Sequence, residues 1–199
     1  ARFHATSEGD EATVGAIIFN MAIIRMVDIR LADAFDATEK PSISRATAEA
    51  SGSSSFDFMT GNSTQEPWRL LLKGQKFLLE QNFQEALTQL ELINTHAMAD
   101  AKSLPLSTID RSWCLTKLDR IQESRTIRLE AEKLLASVTD SEDRAYITGR
   151  LAQLCKIHGD TEKSISFRDM ANKALDEYKA YQSELLSCFT GMTLSEIGK

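Results

Sequence analysis

Residues 67–90 read PWRLLLKGQKFLLEQNFQEALTQL, and the fold is decided in this stretch. Pro67 suits a first helical turn, where the missing N–H has no bond to lose. Leu70, Gly74, Phe77 and Leu78 then recur at three and four and make one face of a helix. Gln81-Asn82 gives a turn, after which Phe83, Ala86, Leu87, Leu90 and Ile93 supply the apolar stripe of a second helix. Two antiparallel helices approach closely only where no side chain holds them apart, so Gly74 and Ala86 are expected at the contact. Immediately upstream, Ser63-x-x-Glu66 reads as a capping box.

The block recurs. Pro105 stands 38 residues beyond Pro67, and Ser124 stands 38 beyond Ala86. A third copy places Leu151, Ala152 and Cys155 ahead of Gly159-Asp160 and Ser164, 40 residues beyond Ser124, with Ala171 further on. Thr139-x-x-Glu142 is expected to cap a helix through about His158, Gly159 to end it, and Asp160 to cap the next. Periods of this size belong to helical solenoids, in which one unit cannot bury its apolar face without neighbours.

These residues resemble tetratricopeptide repeats, whose helix pairs carry a small residue in mid helix A, an aromatic three further on, an aromatic opening helix B and an alanine three beyond it. Gly74, Phe77, Phe83 and Ala86 fit all four positions; Ala152, Cys155, Thr161 and Ser164 fit the small ones; Ser112, Leu115, Ile121 and Ser124 fit more weakly. The resemblance covers Ser63 to Leu175 and implies an all-α fold, a right-handed superhelix of antiparallel helix pairs. It further implies a concave A-helix face that holds a peptide, with Gln75, Asp110, Trp113, Lys117, Tyr146, Arg150, Gln153 and Lys156 exposed on it. Arg150 and Lys156 would then pair with acidic side chains, and Trp113 and Tyr146 would offer flat contact area. The paired lysines and asparagines of the family's carboxylate clamp are not reproduced.

Outside the repeats, residues 1–35 read as a partial repeat helix from Asp10 to about Phe35, apolar on more than one stripe through Val14, Ile17, Ile18, Met21, Ile24 and Val27. Its N-terminal neighbour is expected to be missing, as in the later part of a longer array. Residues 36–63 shift to Ser, Thr, Ala and Gly and read as a connection with one short helix near Arg45 to Ala50, pinned by Phe56, Phe58 and Met59. Repeats and a long last helix fill 64–188, and 189–199 is a tail. On that last helix Phe167, Ala171, Ala174, Tyr178, Tyr181, Leu185 and Cys188 alternate steps of four and three, a seam that either caps the array or forms a homodimer.

Composition narrows the function. A net charge of −6 over 199 residues, without a basic run, argues against nucleic acid. The apolar run Val14–Val27 is broken by Asn20 and Arg25 and falls short of the roughly 20 residues of a membrane span. Three separated cysteines without a C-x-x-C pair read as buried free thiols and suit a reducing, cytoplasmic setting. Asn62-Ser63-Thr64 matches the glycosylation pattern, which matters only on export. No phosphate loop, H-E-x-x-H or G-x-S-x-G is present, and His4, His96 and His158 are isolated, so neither catalysis, metal nor cofactor is expected. The expected function is a noncatalytic protein- or peptide-binding scaffold. The competing readings are a sensory or regulatory segment of a larger signalling protein, similar to repeat regions ahead of cyclic-dinucleotide synthase domains, and a small-molecule-binding bundle.

Overall fold

The computed structural model describes residues 11–37, 43–60, 66–95 and 102–191. All regular structure among them is helical: α1 Glu11–Ala34, α2 Ile43–Thr60, α3 Glu66–Leu79, α4 Phe83–Thr95, α5 Ser103–Lys117, α6 Ile121–Leu134, a 3₁₀ turn Leu135–Ser137, α7 Ser141–Ile157 and α8 Thr161–Gly191. None of these helices is long and apolar enough to cross a membrane.

Three hairpins, α3/α4, α5/α6 and α7/α8, share one turn. Gln81, Asp119 and Gly159 are its left-handed residues, with φ of 59°, 60° and 83°. In each, the next N–H reaches back to a helical carbonyl: Asn82 to Phe77, Arg120 to Leu115 and Asp160 to Cys155, at 2.8 to 2.9 Å. These bonds satisfy carbonyls that every helix end leaves open. Gly159 ends α7 as the sequence leads one to expect, and the Asp160 carboxylate accepts from the Lys163 N–H at 3.4 Å. The start of α7 differs from expectation. Its N-cap is Asp140 rather than Thr139, and no side-chain capping bond forms.

Each hairpin closes where two small residues meet. A Cβ on Gly74 would stand 2.7 Å from two Leu90 carbons, so only glycine admits that side chain. In α5/α6, Ser112 and Ser124 each donate a hydroxyl to the other's carbonyl, at 2.9 and 2.8 Å. In α7/α8, Ser164 donates to the Ala152 carbonyl at 2.8 Å. Buried hydroxyls here keep their bonds without separating the helices.

One expectation is corrected. The Ser-rich stretch 43–60 is the helix α2, not mainly a connection, and it packs on α1 and α3. Ser and Thr cost little here because they bond within the helix: Ser51 donates to the Thr47 carbonyl at 2.8 Å and Thr47 to that of Ser44 at 3.2 Å. Arg45 and Arg25 both meet Glu49, so charge also ties α2 to α1. Within the chain α1 packs against α2, α3 and α7. The expected roles of Asp10, Ser63, Phe56, Phe58 and Met59, the glycosylation pattern at 62–64, and His4 and His96 fall outside the described residues and side chains.

The last helix divides at Tyr178. Phe167, Ala171, Ala174, Leu175 and Tyr178 pack against the array, whereas Tyr181, Leu185 and Cys188 are exposed. Cys114 and Cys155 are buried as expected, so the correction concerns Cys188 alone.

Candidate functional site

The A-type helices α3, α5 and α7 lie side by side, α3 on α5 and α5 on α7, and α1 lies against α3 and α7. Gly149 of α7 marks the closest approach. A Cβ there would stand 3.2 Å from the Ala34 Cβ and 3.5 Å from the Ala34 carbonyl and the Phe35 ring. The end of α1 is then held by charge. Arg150 donates to the Asp33 carboxylate at 2.7 Å, and Gln153 donates to the Asp33 carbonyl and to the Asp36 carboxylate, both at 3.2 Å. Arg168 of α8 donates to the Ala34 carbonyl at 3.0 Å and lies over the Phe35 ring. Cations at the carbonyl end of a helix also complement its dipole.

Beneath this contact is a buried polar cluster. Asp110 accepts hydrogen bonds from the Tyr146 hydroxyl and, at 3.0 Å, from Gln75. Burial pushes the Asp110 carboxyl up from its ordinary range, while Tyr146, Gln75, Arg30 and Arg150 pull it back down. Arg30 of α1 lies over the Tyr146 ring at 5.0 Å and reaches Asp143 at 3.5 Å. Arg150 lies 4.0 Å from the centre of the Trp113 ring. The cluster therefore serves the docking of α1.

The expected exposure of the A-helix face is corrected accordingly. Gln75, Asp110, Trp113, Tyr146 and Arg150 are buried, at 4, 0, 9, 1 and 1% exposure. The physical cause is the packing of α1 from far upstream in the sequence onto α3 and α7. Gln153 is half-buried, and Lys117 and Lys156 are exposed. Residues 145–152 are buried without a break, and the one sign of this in the sequence is that YITGRLA within them has no strongly polar stripe apart from Arg150. A helix apolar all round needs cover on both sides.

The seating of α1 buries several large apolar side chains. Phe19, Met26, Val27, Ile29 and Leu31 are all at 9% exposure or less. At roughly 1.5–3 kcal/mol for each large apolar side chain, their burial rivals the whole stability of an ordinary domain.

What stays open is the stretch just past the end of α1. There Asp36, at φ 52°, turns the chain away, and a cleft of about 710 Å³ lies between α5, α7 and α8. Trp113, Gln153, Lys156, Ile157, Ile165 and Arg168 line it. Of the residues expected to bind, it gathers Trp113, Gln153 and Lys156, and Lys117 stands 4.5 Å from the centre of the Trp113 ring. Ile157, Ile165 and Arg168 were missed, because their proximity depends on the α7/α8 turn. Elsewhere the buried Ser124 lies 3.4 Å from His158, but with no exposed surface on Ser124 this is a packing contact. Burial pushes the Cys114 and Cys155 thiols up, away from reactivity. Among the described residues, no three His, Cys, Asp or Glu side chains are grouped to hold a metal ion. No family model, curated protein or solved structure matches the chain.

Proposed function

We propose that the protein is a noncatalytic scaffold, a tetratricopeptide-like right-handed array of helix pairs that binds a protein or peptide through the uncovered part of its A-helix face. The reading rests on one observation above all: three successive hairpins share a left-handed turn and a small-residue contact, and each A helix lies on the next. The binding residues are Trp113, Lys117, Gln153 and Lys156, while Gln75, Tyr146 and Arg150 hold α1. A peptide library displayed on phage and selected against the full chain tests this. A photo-crosslinker at Lys156 should capture selected peptides, and one at Glu130 on α6 should not; equal capture at both sites rejects the reading.

The exposed end of α8 favours a second reading. Residues 179–188 have no cover among the described residues, so the helix can act as a connector in a larger signalling protein. A gene that continues past Lys199 into an enzyme domain supports that role. Light scattering on wild type and Tyr181→Glu separates a homodimer from it, since a connector leaves both monomeric.

A further inference from the structure

We infer that a second cleft, between α1 and the N-terminal ends of α3, α5 and α7, binds a free α-amino acid with a large apolar side chain. It shares no lining residue with the cleft past the end of α1 and does not depend on the scaffold reading. Its volume is about 450 Å³, within the roughly 300–1,000 Å³ of specific small-molecule sites. One wall is a stripe of α1. Phe19, Ile23, Val27 and Arg30 follow at steps of four, four and three, so three apolar side chains lead along one helix face to a guanidinium. Trp68 of α3 adds an aromatic surface.

Arg30 sets what the ligand must bring. It is 6% exposed, its Nε has no hydrogen-bond partner, and it reaches the Asp143 carboxylate only at 3.5 Å. A buried guanidinium held this loosely has donors to spare, and a ligand carboxylate matches their fork geometry. The α7 end calls for the opposite charge. Asp140, Glu142 and Asp143 all line the cleft, and Lys102, the other cation there, is paired with Asp140 at 2.8 Å. Glu142 has no cationic partner among the described residues. Burial pushes the Asp143 carboxyl up, and Glu142 and Asp140 push it further, against the pull of Arg30 and Lys102. An ammonium group relieves that crowding. A ligand with a carboxylate alone would meet three like charges, and one with an amine alone would leave Arg30 unanswered. The α-amino acid head group carries both charges on one carbon, and its side chain then lies along Phe19, Ile23 and Trp68.

Isothermal titration calorimetry of the full chain with L-phenylalanine tests this. Binding should weaken by about tenfold for phenylpropionate, which lacks the ammonium group, and for phenylalaninamide, which lacks the carboxylate and mimics a peptide N-terminus. Glutamate, which has the same head group but no apolar side chain, should give no detectable heat. Glu142→Gln should weaken phenylalanine by about tenfold and leave phenylpropionate unchanged, because the lost charge faces only the ammonium group. Glu184→Gln, an equal change of charge on the exposed end of α8, should leave both unchanged. Equal affinity for phenylalanine and phenylalaninamide assigns the cleft to amines or peptide N-termini and overturns the inference. So does equal loss in the two variants, or the absence of binding by phenylalanine, leucine and tryptophan at millimolar concentration.

Discussion

The covered part of the A-helix face lies on α3, α5 and α7 beneath α1, and the open part lies past the end of α1 between α5, α7 and α8. Under α1, the polar side chains pair with one another. Arg150 has Asp33, Arg30 has Asp143, and Asp110 has Tyr146 and Gln75. Past its end, Lys117 and Lys156 stand without carboxylate partners among the described residues, and Ile157 and Ile165 are exposed. A face carrying Arg, Asp, Tyr and Gln at helical spacing is therefore not evidence of solvent. Such residues serve here as an internal joint.

Substitutions should separate the two parts by the size of their effects. Arg150→Ala removes a buried guanidinium together with its bond to Asp33 and its ring contact with Trp113, and should cost about 1.5–3 kcal/mol in urea unfolding. Gly149→Val forces carbon into Ala34 and its carbonyl and should cost about 1–3 kcal/mol by overpacking, read the same way. A neutral result at Gly149 would mean that α1 is not seated as described.

Asp110→Asn sharpens the comparison through pH. Burial raises the folded-state pKa of Asp110 above 3.8, so its contribution to stability is complete below that pH and is lost as pH rises through the folded value. Asparagine keeps the shape and can still accept from Tyr146. Urea midpoints between pH 4 and 7 should therefore favour the variant increasingly as pH rises, and a constant difference would rule out this role. The smallest effect belongs to the open part: Lys117→Ala and Lys156→Ala should each leave thermal stability within about 0.5 kcal/mol of wild type.

Much of the hairpin architecture was legible because its causes are local. Gly74 with Ala86, Ser112 with Ser124 and Ala152 with Ser164 are small for a steric reason that operates within a single helix pair. Gly159 is legible for the same kind of reason, since its turn needs positive φ. The equivalent turns at Gln81 and Asp119 were harder, because neither residue advertises that conformation. Helix α2 was missed where intrinsic propensity and environment disagree: Ser, Thr and Gly dominate 43–60, and contacts with α1 and α3 override them. The covered part of the site was illegible for a different reason. Nothing near Tyr146 or Arg150 in sequence announces Arg30 or Asp33, and only the weakly polar run YITGRLA of α7 hinted that something lay on top.

The seating of α1 also bears on how the chain reaches this structure. In an open array each unit contacts only its neighbours, so units can form and melt piecemeal. Here the Asp33–Arg150 bond spans 117 positions and Arg168 reaches back 134 to Ala34. Such distant closures slow folding, because loop entropy is lost before the contacts that reward it are made. The hairpins should therefore assemble early and the clasp last, and once it has closed the ends of the array should unfold together rather than fray.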